Sequence, residues 1–363
     1  MFPPINERRR PGAPMRCWYA AATSDEVTRT PVAARVLNTA VVLYRLGDGS
    51  VAALEDRDAH RPYPLSLGRL DGDRIVSSYS GFAYAPDGRC VHVPTQTEVP
   101  YGARVPAYPV RELDGLVWVW LAEPGLAELR RPPRAPWLTD AAWSTFGGEW
   151  TTAADYLLLH ENFADITHVA IVHPELAPPV LSAGPVPLLE VEVSETSVAF
   201  HRDYPPAPLA GFHSRLLGAG PEQEFVQREQ ARFDSPGLWV DSWEVRPATA
   251  TDDAGEPATF RFTHAVTPVD DGHTRHVWRV SRNFAHGADV SANLLPMFTD
   301  YYQRVRQILT TMQRVIETDG VRDDVNVSAD AAALAIRRIV GRMLAEEPDL
   351  FGANDSHSLA GRL

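Results

Sequence analysis

Two hydrophobic periodicities, and the order in which they occur, most constrain the fold of this chain. Short apolar runs bounded by turn residues recur through its first third, for example at 39–44 and 115–121. Apolar and polar residues then alternate in longer runs, at 188–193, 238–245, 259–262 and 276–281. Alternation with period two predicts strands that bury one face and leave the other in a wetter environment.

The last third of the chain changes to helical periodicity. Between 293 and 318, apolar side chains recur every three or four residues, at Val305, Ile308, Leu309, Met312, Val315 and Ile316. A second amphipathic helix is predicted at 329–346. The whole pattern predicts an α+β fold. An N-terminal antiparallel β domain is predicted at 1–125, and a domain with an antiparallel sheet flanked by helices at 137–363. The segment rich in Pro, Glu and Arg at 123–136 is the predicted linker.

Composition excludes several classes of partner. The 363 residues carry a formal net charge of −13, and lysine is absent from the sequence. Because an acidic protein repels nucleic acid and anionic lipid, neither is an expected partner. No run approaches the roughly 18–20 apolar residues that a membrane span needs, so the cytoplasm is the expected location. Cys17 and Cys90 are too few for a disulfide scaffold.

One segment, at 53–84, resembles the Rieske domain of Rieske-type non-haem iron oxygenases, the group of the vanillate demethylases and dicamba monooxygenases. In that domain a Cys-x-His pair and a Cys-x-x-His pair hold a [2Fe–2S] cluster. The corresponding positions carry Asp58 and His60, then Ser77 and Ser80. Three of the four expected ligands therefore differ. On this basis the domain is predicted to hold no [2Fe–2S] cluster.

A second segment, ENFADITHVAIVHP at 161–174, resembles the mononuclear iron motif of the same family, Asp-x-x-His-x4-His. The resemblance assigns His168 and His173 as the two histidine ligands. It assigns Asp165 as the carboxylate that connects a neighbouring subunit's cluster to this iron. Without the resemblance, two histidines five residues apart would be weak evidence, because they do not share one face of a regular helix.

The third iron ligand in the family is a carboxylate on the long C-terminal helix. An ungapped alignment over 282–316 puts Val305 at that place. Asp300 is the rival, but it lies five residues earlier and so about 140° away around a helix. Val305 is the favoured assignment, and a valine cannot bind metal. Iron(II) is then expected only if Asp300, water or substrate completes the ligand set of His168 and His173.

The resemblance covers nearly the whole chain and implies a pocket for an aromatic or other apolar small molecule, in a trimeric assembly. The predicted walls of this pocket are Asn162, Trp239, Trp243, Phe260, Phe262 and Trp278. Our first hypothesis is a non-redox tailoring enzyme, a cyclase, cycloaddition catalyst or isomerase, that acts on a hydrophobic natural product without a cofactor. In this hypothesis Asp165, His168 and His173 transfer protons or stabilise developing charge.

Two alternatives stay open at this point. In one, His168 and His173 hold Fe(II) with Asp300 or water, and a separate Rieske or ferredoxin partner delivers electrons for mono-oxygenation. In the other, the chain is an inactive structural subunit that stabilises an active relative in a mixed trimer.

Overall fold

The computed structural model describes residues 12–182, 184–187, 189–251, 255–320 and 324–347. Within this part of the chain, antiparallel sheets and α-helices form an α+β fold, which confirms the predicted class. The strands are β1 (Trp18–Thr23), β2 (Val32–Val36), β3 (Thr39–Arg45), β4 (Val51–Glu55), β5 (Arg69–Asp71), β6 (Arg74–Val76), β7 (Ala83–Tyr84), β8 (Cys90–His92), β9 (Val110–Leu113), β10 (Leu116–Trp120), β11 (Ser144–Thr152), β12 (Glu190–Val193), β13 (Val198–Ala207), β14 (Phe225–Ser235), β15 (Leu238–Pro247), β16 (Ala258–Asp270) and β17 (His273–Arg282). The helices are α1 (Pro124–Ala127), α2 (Tyr156–Ala164), α3 (Val169–Val172), α4 (Gly211–Leu216), α5 (Ala288–Asp319) and α6 (Ala331–Glu346).

The N-terminal strands form small sheets in the orders β1-β10-β9, β2-β3-β4 and β5-β6-β7-β8. The hairpin between β9 and β10 shows how turn chemistry sets their register. Leu113 pairs with Leu116, and the two residues between them, Asp114 and Gly115, have φ of 54° and 79°. Positive φ at both central positions is typical of a type I′ turn, whose twist matches that of the strands. The closing strand predicted at 115–121 follows directly.

The C-terminal strands form one antiparallel sheet in the order β11-β17-β16-β15-β14-β13-β12. Its central strands match the predicted alternation, although the strand predicted at 188–193 begins at Glu190 and residue 188 lies outside the described part. On β15, Trp239, Asp241 and Trp243 alternate with their neighbours and therefore share one face. Trp239 pairs with His264 and Asp241 with Phe262 on β16. The sheet thus carries polar side chains among aromatic ones on this face.

Helices α2 and α5 place the second motif beside that sheet. Helix α2 begins after Asp155, whose side chain accepts a hydrogen bond from Leu157 N. The chain becomes extended at Asp165 and returns to one short helix, α3. His168 directly precedes α3 and His173 directly follows it. Two short helices, and not one continuous helix, therefore carry this motif, and the break between them brings both histidines to one site.

The N-terminal and C-terminal regions share a hydrophobic core that includes Trp18, Trp118 and Trp239. Hydrogen bonds also join them, for example from Thr267 Oγ1 to the carbonyl of Ala20 at 2.8 Å. A Cβ on Gly237 would lie 2.4 Å from the carbonyl oxygen of Trp18, so this approach needs a glycine. The domain boundaries at 125 and 137 stay a prediction. Within the described residues, no helix combines the length and the apolar character needed to cross a membrane.

Candidate functional site

The positions that resemble cluster ligands form a closed hydrogen-bonded group, here called the Asp58 cage, of Asp58, Ser77, Ser80 and Tyr84. The fully buried Asp58 carboxylate accepts hydrogen bonds from Ser77 Oγ at 2.5 Å, Ser80 Oγ at 2.5 Å and Tyr84 OH at 2.7 Å. The backbone N–H of His60 donates a further one at 3.0 Å. Burial raises the pKa of Asp58, but these hydrogen bonds outweigh burial and hold that pKa below its ordinary value.

The donor set of the Asp58 cage does not fit a Rieske cluster. Such a cluster needs two thiolates and two imidazoles, whereas this position offers a carboxylate, two hydroxyls and one imidazole. The exposed ring of His60 stacks on Phe82, with 5.2 Å between ring centroids. Cys17 and Cys90 are free and buried, and the Cys90 thiol donates to the carbonyl of His92. The carboxylate charge is therefore satisfied by the protein's own donors.

The second motif presents two imidazoles with available nitrogen atoms. His173 is fully buried, and neither of its ring nitrogens has a hydrogen-bond partner among the described residues. The ring of His168 lies 6.2 Å away, centroid to centroid. Burial lowers the pKa of both histidines, that of His173 to about 4. Both rings are thus neutral at neutral pH, the form that binds metal.

Asp165 orients His168 through its backbone and not through its carboxylate. His168 Nδ1 donates to the carbonyl oxygen of Asp165 at 2.5 Å, so Nε2 carries the lone pair, which accepts a long hydrogen bond from Asn162 Nδ2 at 3.4 Å. The Asp165 side chain instead accepts hydrogen bonds from the N–H and hydroxyl of Thr167. Fixing one ring nitrogen in this way is typical of metal-binding histidines. The assignment of Asp165, His168 and His173 as functional residues stays a prediction.

The proposed third ligand, Asp300, does not join the two histidines. Asp300 is exposed on α5, and the described residues contain no group of three His, Cys, Asp or Glu side chains that could hold a metal ion. The ring of Tyr301 packs on His173 at 4.0 Å between centroids. Val305 lies one turn further along α5 and is buried. The face of the helix near the histidines is therefore aromatic and aliphatic, as helical geometry requires when Asp300 points away.

A partly open cavity lies between the sheet, α2 and α5, with about 940 Å³ of space free of protein atoms, part of which is open solvent. Of the predicted wall residues, Asn162, Trp243, Phe260 and Phe262 line it together with Asp165 and His168. Two predicted wall residues, Trp239 and Trp278, do not belong to its lining. Both side chains are fully buried.

Their neighbours explain why these two tryptophans lie behind the wall. Trp239 packs on Phe163 and Phe200 in the shared core. The ring of Trp278 lies against Gly148, which has no side chain to displace it. The prediction that Trp239 and Trp278 bind substrate directly is therefore wrong.

The sequence analysis missed a polar chain beside the cavity, here called the Asp241–His264–His276 chain. His264 Nδ1 and His276 Nε2 are 2.9 Å apart, and His264 Nε2 is 3.4 Å from Asp241 Oδ1. Burial raises the pKa of Asp241 to about 7 and lowers that of His264 to about 3. A sequence signal existed, because Asp241 alternates between Trp239 and Trp243 on a predicted strand. A carboxylate on the apolar face of a strand indicates a site.

Glu229 is another carboxylate at the cavity, but it is neutralised inside the protein. The buried guanidinium of Arg202 donates to it at 2.8 Å, and Tyr204 OH donates at 2.9 Å. Burial raises the pKa of Glu229, against the opposing effect of Arg202.

Two family models match the chain. The vanillate O-demethylase oxygenase C-terminal domain matches residues 152–346, and the Rieske [2Fe-2S] domain matches residues 17–109. A putative toluene-4-sulfonate monooxygenase system iron-sulfur subunit of Comamonas testosteroni is 29% identical, over 91% of this chain and 96% of that protein. The oxygenase component of a chloroacetanilide N-alkylformylase of Rhizorhabdus wittichii is 31% identical, over 74% of this chain and 76% of that protein. A crystal structure of dicamba monooxygenase bound to dicamba aligns with a TM-score of 0.82 at 25% identity, covering 92% of this chain and 98% of that one.

These relatives correct two expectations. Mono-oxygenases and demethylases are redox enzymes, so the hypothesis of a non-redox cyclase or isomerase for a natural product is wrong. The expectation of an enzyme without a cofactor is also wrong, because the Rieske match and the oxygenase relatives point to a [2Fe–2S] cluster and non-haem iron. The similarity of the whole chain indicates redox chemistry, even though the donors of the Asp58 cage do not themselves fit a cluster.

Proposed function

We propose that this chain, which belongs to the vanillate O-demethylase family of Rieske-type oxygenase subunits, is a mononuclear non-haem iron(II) mono-oxygenase for an apolar small molecule. Iron(II) held at the two histidines would supply activation of O2. In the overall reaction one oxygen atom would enter a C–H bond of the substrate and the other would leave as water, with two electrons from a separate redox partner and two protons from solvent.

The observation that carries this proposal is the fully buried His173, because neither of its ring nitrogens has a hydrogen-bond partner in the part of the chain that the structure describes. A buried polar group without a partner costs about 1–3 kcal/mol. A folded protein keeps such a group where it has another use, and metal binding is the use that suits two neutral imidazoles side by side. His168 supports the proposal, since its Nδ1–H is held by the Asp165 carbonyl and its Nε2 has only the long hydrogen bond from Asn162 at 3.4 Å, which a metal ion would replace.

The other residues bind the substrate and keep water out. Phe260, Phe262 and Trp243 give the cavity apolar walls next to His168, and such walls favour an aromatic or aliphatic substrate. Tyr301 packs on the ring of His173 and limits its motion. Because Val305 supplies no carboxylate, water or the substrate would complete the metal ligands. We therefore expect weaker iron binding than a complete two-histidine, one-carboxylate site would give.

The proposed source of electrons follows from the Asp58 cage. No step of the proposal runs through a cluster in this chain, because the donors at that position are a carboxylate and hydroxyls. The relatives named above are a subunit of a monooxygenase system and an oxygenase component, which supports a separate protein as the electron donor. A trimer in the cytoplasm remains part of the proposal.

Metal binding tests the proposal first. The full-length protein is loaded with iron(II) without oxygen, and bound iron is measured after desalting. We expect up to one iron per chain, and we expect His173→Ala to weaken binding by about 100-fold. His286→Ala is the matched control, since His286 is exposed and bonds to Ser144. Absence of iron binding by the wild-type chain would contradict the proposal.

Oxygen use tests it second. With a ferredoxin, its reductase and a set of methoxyaromatic compounds, oxygen uptake should depend on iron and yield an oxygenated product. Asp165→Asn keeps the backbone carbonyl that holds His168, so iron binding should stay within about twofold of wild type. If the variant also keeps the full oxygenation rate, Asp165 has no part in electron delivery.

A further inference from the structure

The charges that face the cavity are unevenly distributed. Among the described residues that line it, none is an arginine, and the chain contains no lysine. The histidines of the lining, His168, His213 and His264, have pKa values that burial lowers, so they are neutral at neutral pH. The side chains therefore give an anionic substrate group no positive partner.

The carboxylates of the lining differ in how far they are already satisfied. Glu229 is paired with the buried Arg202, and Asp165 accepts hydrogen bonds from Thr167. Within the described part of the chain, Asp241 has no such cationic partner. Its hydrogen bond from Trp239 Nε1 at 3.0 Å and its contact with His264 Nε2 at 3.4 Å both use Oδ1. One third of the Asp241 side-chain surface stays accessible, and Asp241 lines the cavity.

The histidine pair behind Asp241 fixes which hydrogens point toward the carboxylate. Both rings are neutral, so each has one N–H, and one ring must donate to the other across the 2.9 Å contact. When Asp241 is ionised, the favoured arrangement has His276 Nε2–H donating to His264 Nδ1. His264 Nε2–H then faces Asp241. This arrangement of hydrogens stabilises a negative charge on Asp241, but it places no positive charge beside the carboxylate.

We infer that Asp241, supported by His264 and His276, selects substrates that present a protonated amine or a hydroxyl group to the inner wall of the cavity, and that it disfavours carboxylates. A cationic donor would supply the partner that Asp241 lacks, whereas an anion would meet like charge in a site of low dielectric. The apolar walls would hold the aromatic or aliphatic body of the same molecule. The inference rests on the proposed function, because it names the class of substrate that this oxygenase takes.

Three probes that differ only in their polar group test the inference: 2-naphthylmethylamine, 2-naphthylmethanol and 2-naphthoate. Dissociation constants are measured with the full-length chain by calorimetry at pH 7.5, with and without iron(II). In both conditions the amine should bind at least about tenfold more tightly than the naphthoate, with the alcohol between them. Naphthoate binding as tight as the amine, or no measurable binding of the amine, would overturn the inference.

Variants test whether Asp241 causes the preference for the amine. Asp241→Asn should weaken amine binding by about tenfold or more and leave the alcohol within about threefold. Asp300→Asn removes an exposed carboxylate from α5 and should change neither, so it controls for net charge. If Asp241→Asn folds and keeps the amine preference, the residue does not set specificity. The wild-type comparison of the probes stays decisive even if that variant fails to fold.

The outcomes separate this inference from the proposed function. Probe binding needs neither electrons nor oxygen, and it is measured on the protein before iron is added. A chain that binds the amine but takes up no oxygen would contradict the oxygenase proposal alone. A chain that oxygenates an aromatic carboxylate and rejects the amine would contradict the inference alone.

Discussion

The Asp58 cage and the histidine pair are both polar and both buried, yet they use their hydrogen-bonding capacity in opposite ways. In the cage, one carboxylate accepts hydrogen bonds from three hydroxyls and a backbone N–H. In the pair, His173 has two ring nitrogens without a partner among the residues described, and His168 has one nitrogen held by a carbonyl and one that accepts only a long hydrogen bond from Asn162.

From this difference we infer that the residues of the cage stabilise the fold, whereas the two histidines are available to bind a ligand. A satisfied buried network strengthens the fold and offers no atom to a ligand. An unsatisfied buried nitrogen weakens the fold, and the lost stability is recovered only when a ligand binds to that nitrogen. The two regions lie in one chain with one shared core, so their stabilities can be compared in the same protein.

The largest expected effect is on the cage. Asp58→Ala removes the acceptor for Ser77, Ser80 and Tyr84 and leaves their hydroxyls unpaired in the interior. We expect the free energy of unfolding to fall by about 3–5 kcal/mol, measured by urea denaturation. Asp87→Ala is the surface control, because the exposed ion pair of Asp87 with Arg89 should contribute less than about 1 kcal/mol. A cage variant that loses no more than the control would refute the stabilising role.

Acid should affect the histidine-rich region before the cage. Burial lowers the pKa values of His160 and His213 to about 4 in the folded state, against about 6.5 when unfolded. Since the unfolded chain binds protons first, stability should fall from pH 6.5 down to about 4, by roughly 3 kcal/mol for each histidine. Asp58, with its lowered pKa, keeps its contribution until the pH falls below about 4.

Asp241 opposes this trend, because its raised pKa of about 7 makes it a destabilising charge at neutral pH that protonation relieves. The loss of stability from protonating His160 and His213 is larger than the gain from protonating Asp241. Urea denaturation between pH 7.5 and 4.5 checks the slope, and His213→Phe should make it shallower, whereas His286→Phe on the surface should not. A stability that is constant over this range would contradict the neutral state of the buried histidines.

The third prediction concerns iron binding, because a substitution at Val305 would add the carboxylate that the two histidines lack. Val305→Asp places a carboxylate one turn after Tyr301, whose ring packs on His173. We expect iron(II) affinity to rise by about tenfold or more, since two histidines and a carboxylate form the usual triad. Bound iron after competition with a chelator is the measurement. Val305→Asn has the same size without the charge, and equal iron binding by the two variants would show that the side chain does not reach the metal.

The smallest expected effect is again in the cage. Tyr84→Phe removes one of the donors to Asp58 and leaves the carboxylate with the others. We expect a loss of about 1 kcal/mol, measured by urea denaturation beside Tyr79→Phe, whose ring is exposed. A loss as large as that of Asp58→Ala would mean that the cage depends on Tyr84 alone.

The sequence predicted the fold class, most strands and both C-terminal helices, because periodicity reports which face of an element is buried. It also placed Asp165, His168 and His173 near one another, through a motif that is local in the chain. It did not predict the Asp241–His264–His276 chain, since those residues come from three strands and meet only through sheet register. It erred on Trp239 and Trp278, because alternation shows that a side chain points inward but not whether a cavity or another ring lies there.

The close approach of Gly237 to Trp18 has a consequence for how a chain like this can diverge. The N-terminal region supports the strand that carries Asp241, through a contact that admits no side chain at Gly237. This contact does not involve Asp58, Ser77 or Ser80, but deletion of the region would remove it. The N-terminal region therefore serves as scaffolding independently of any ligand that it holds, and a shortened gene encoding only the C-terminal sheet and helices should yield insoluble protein.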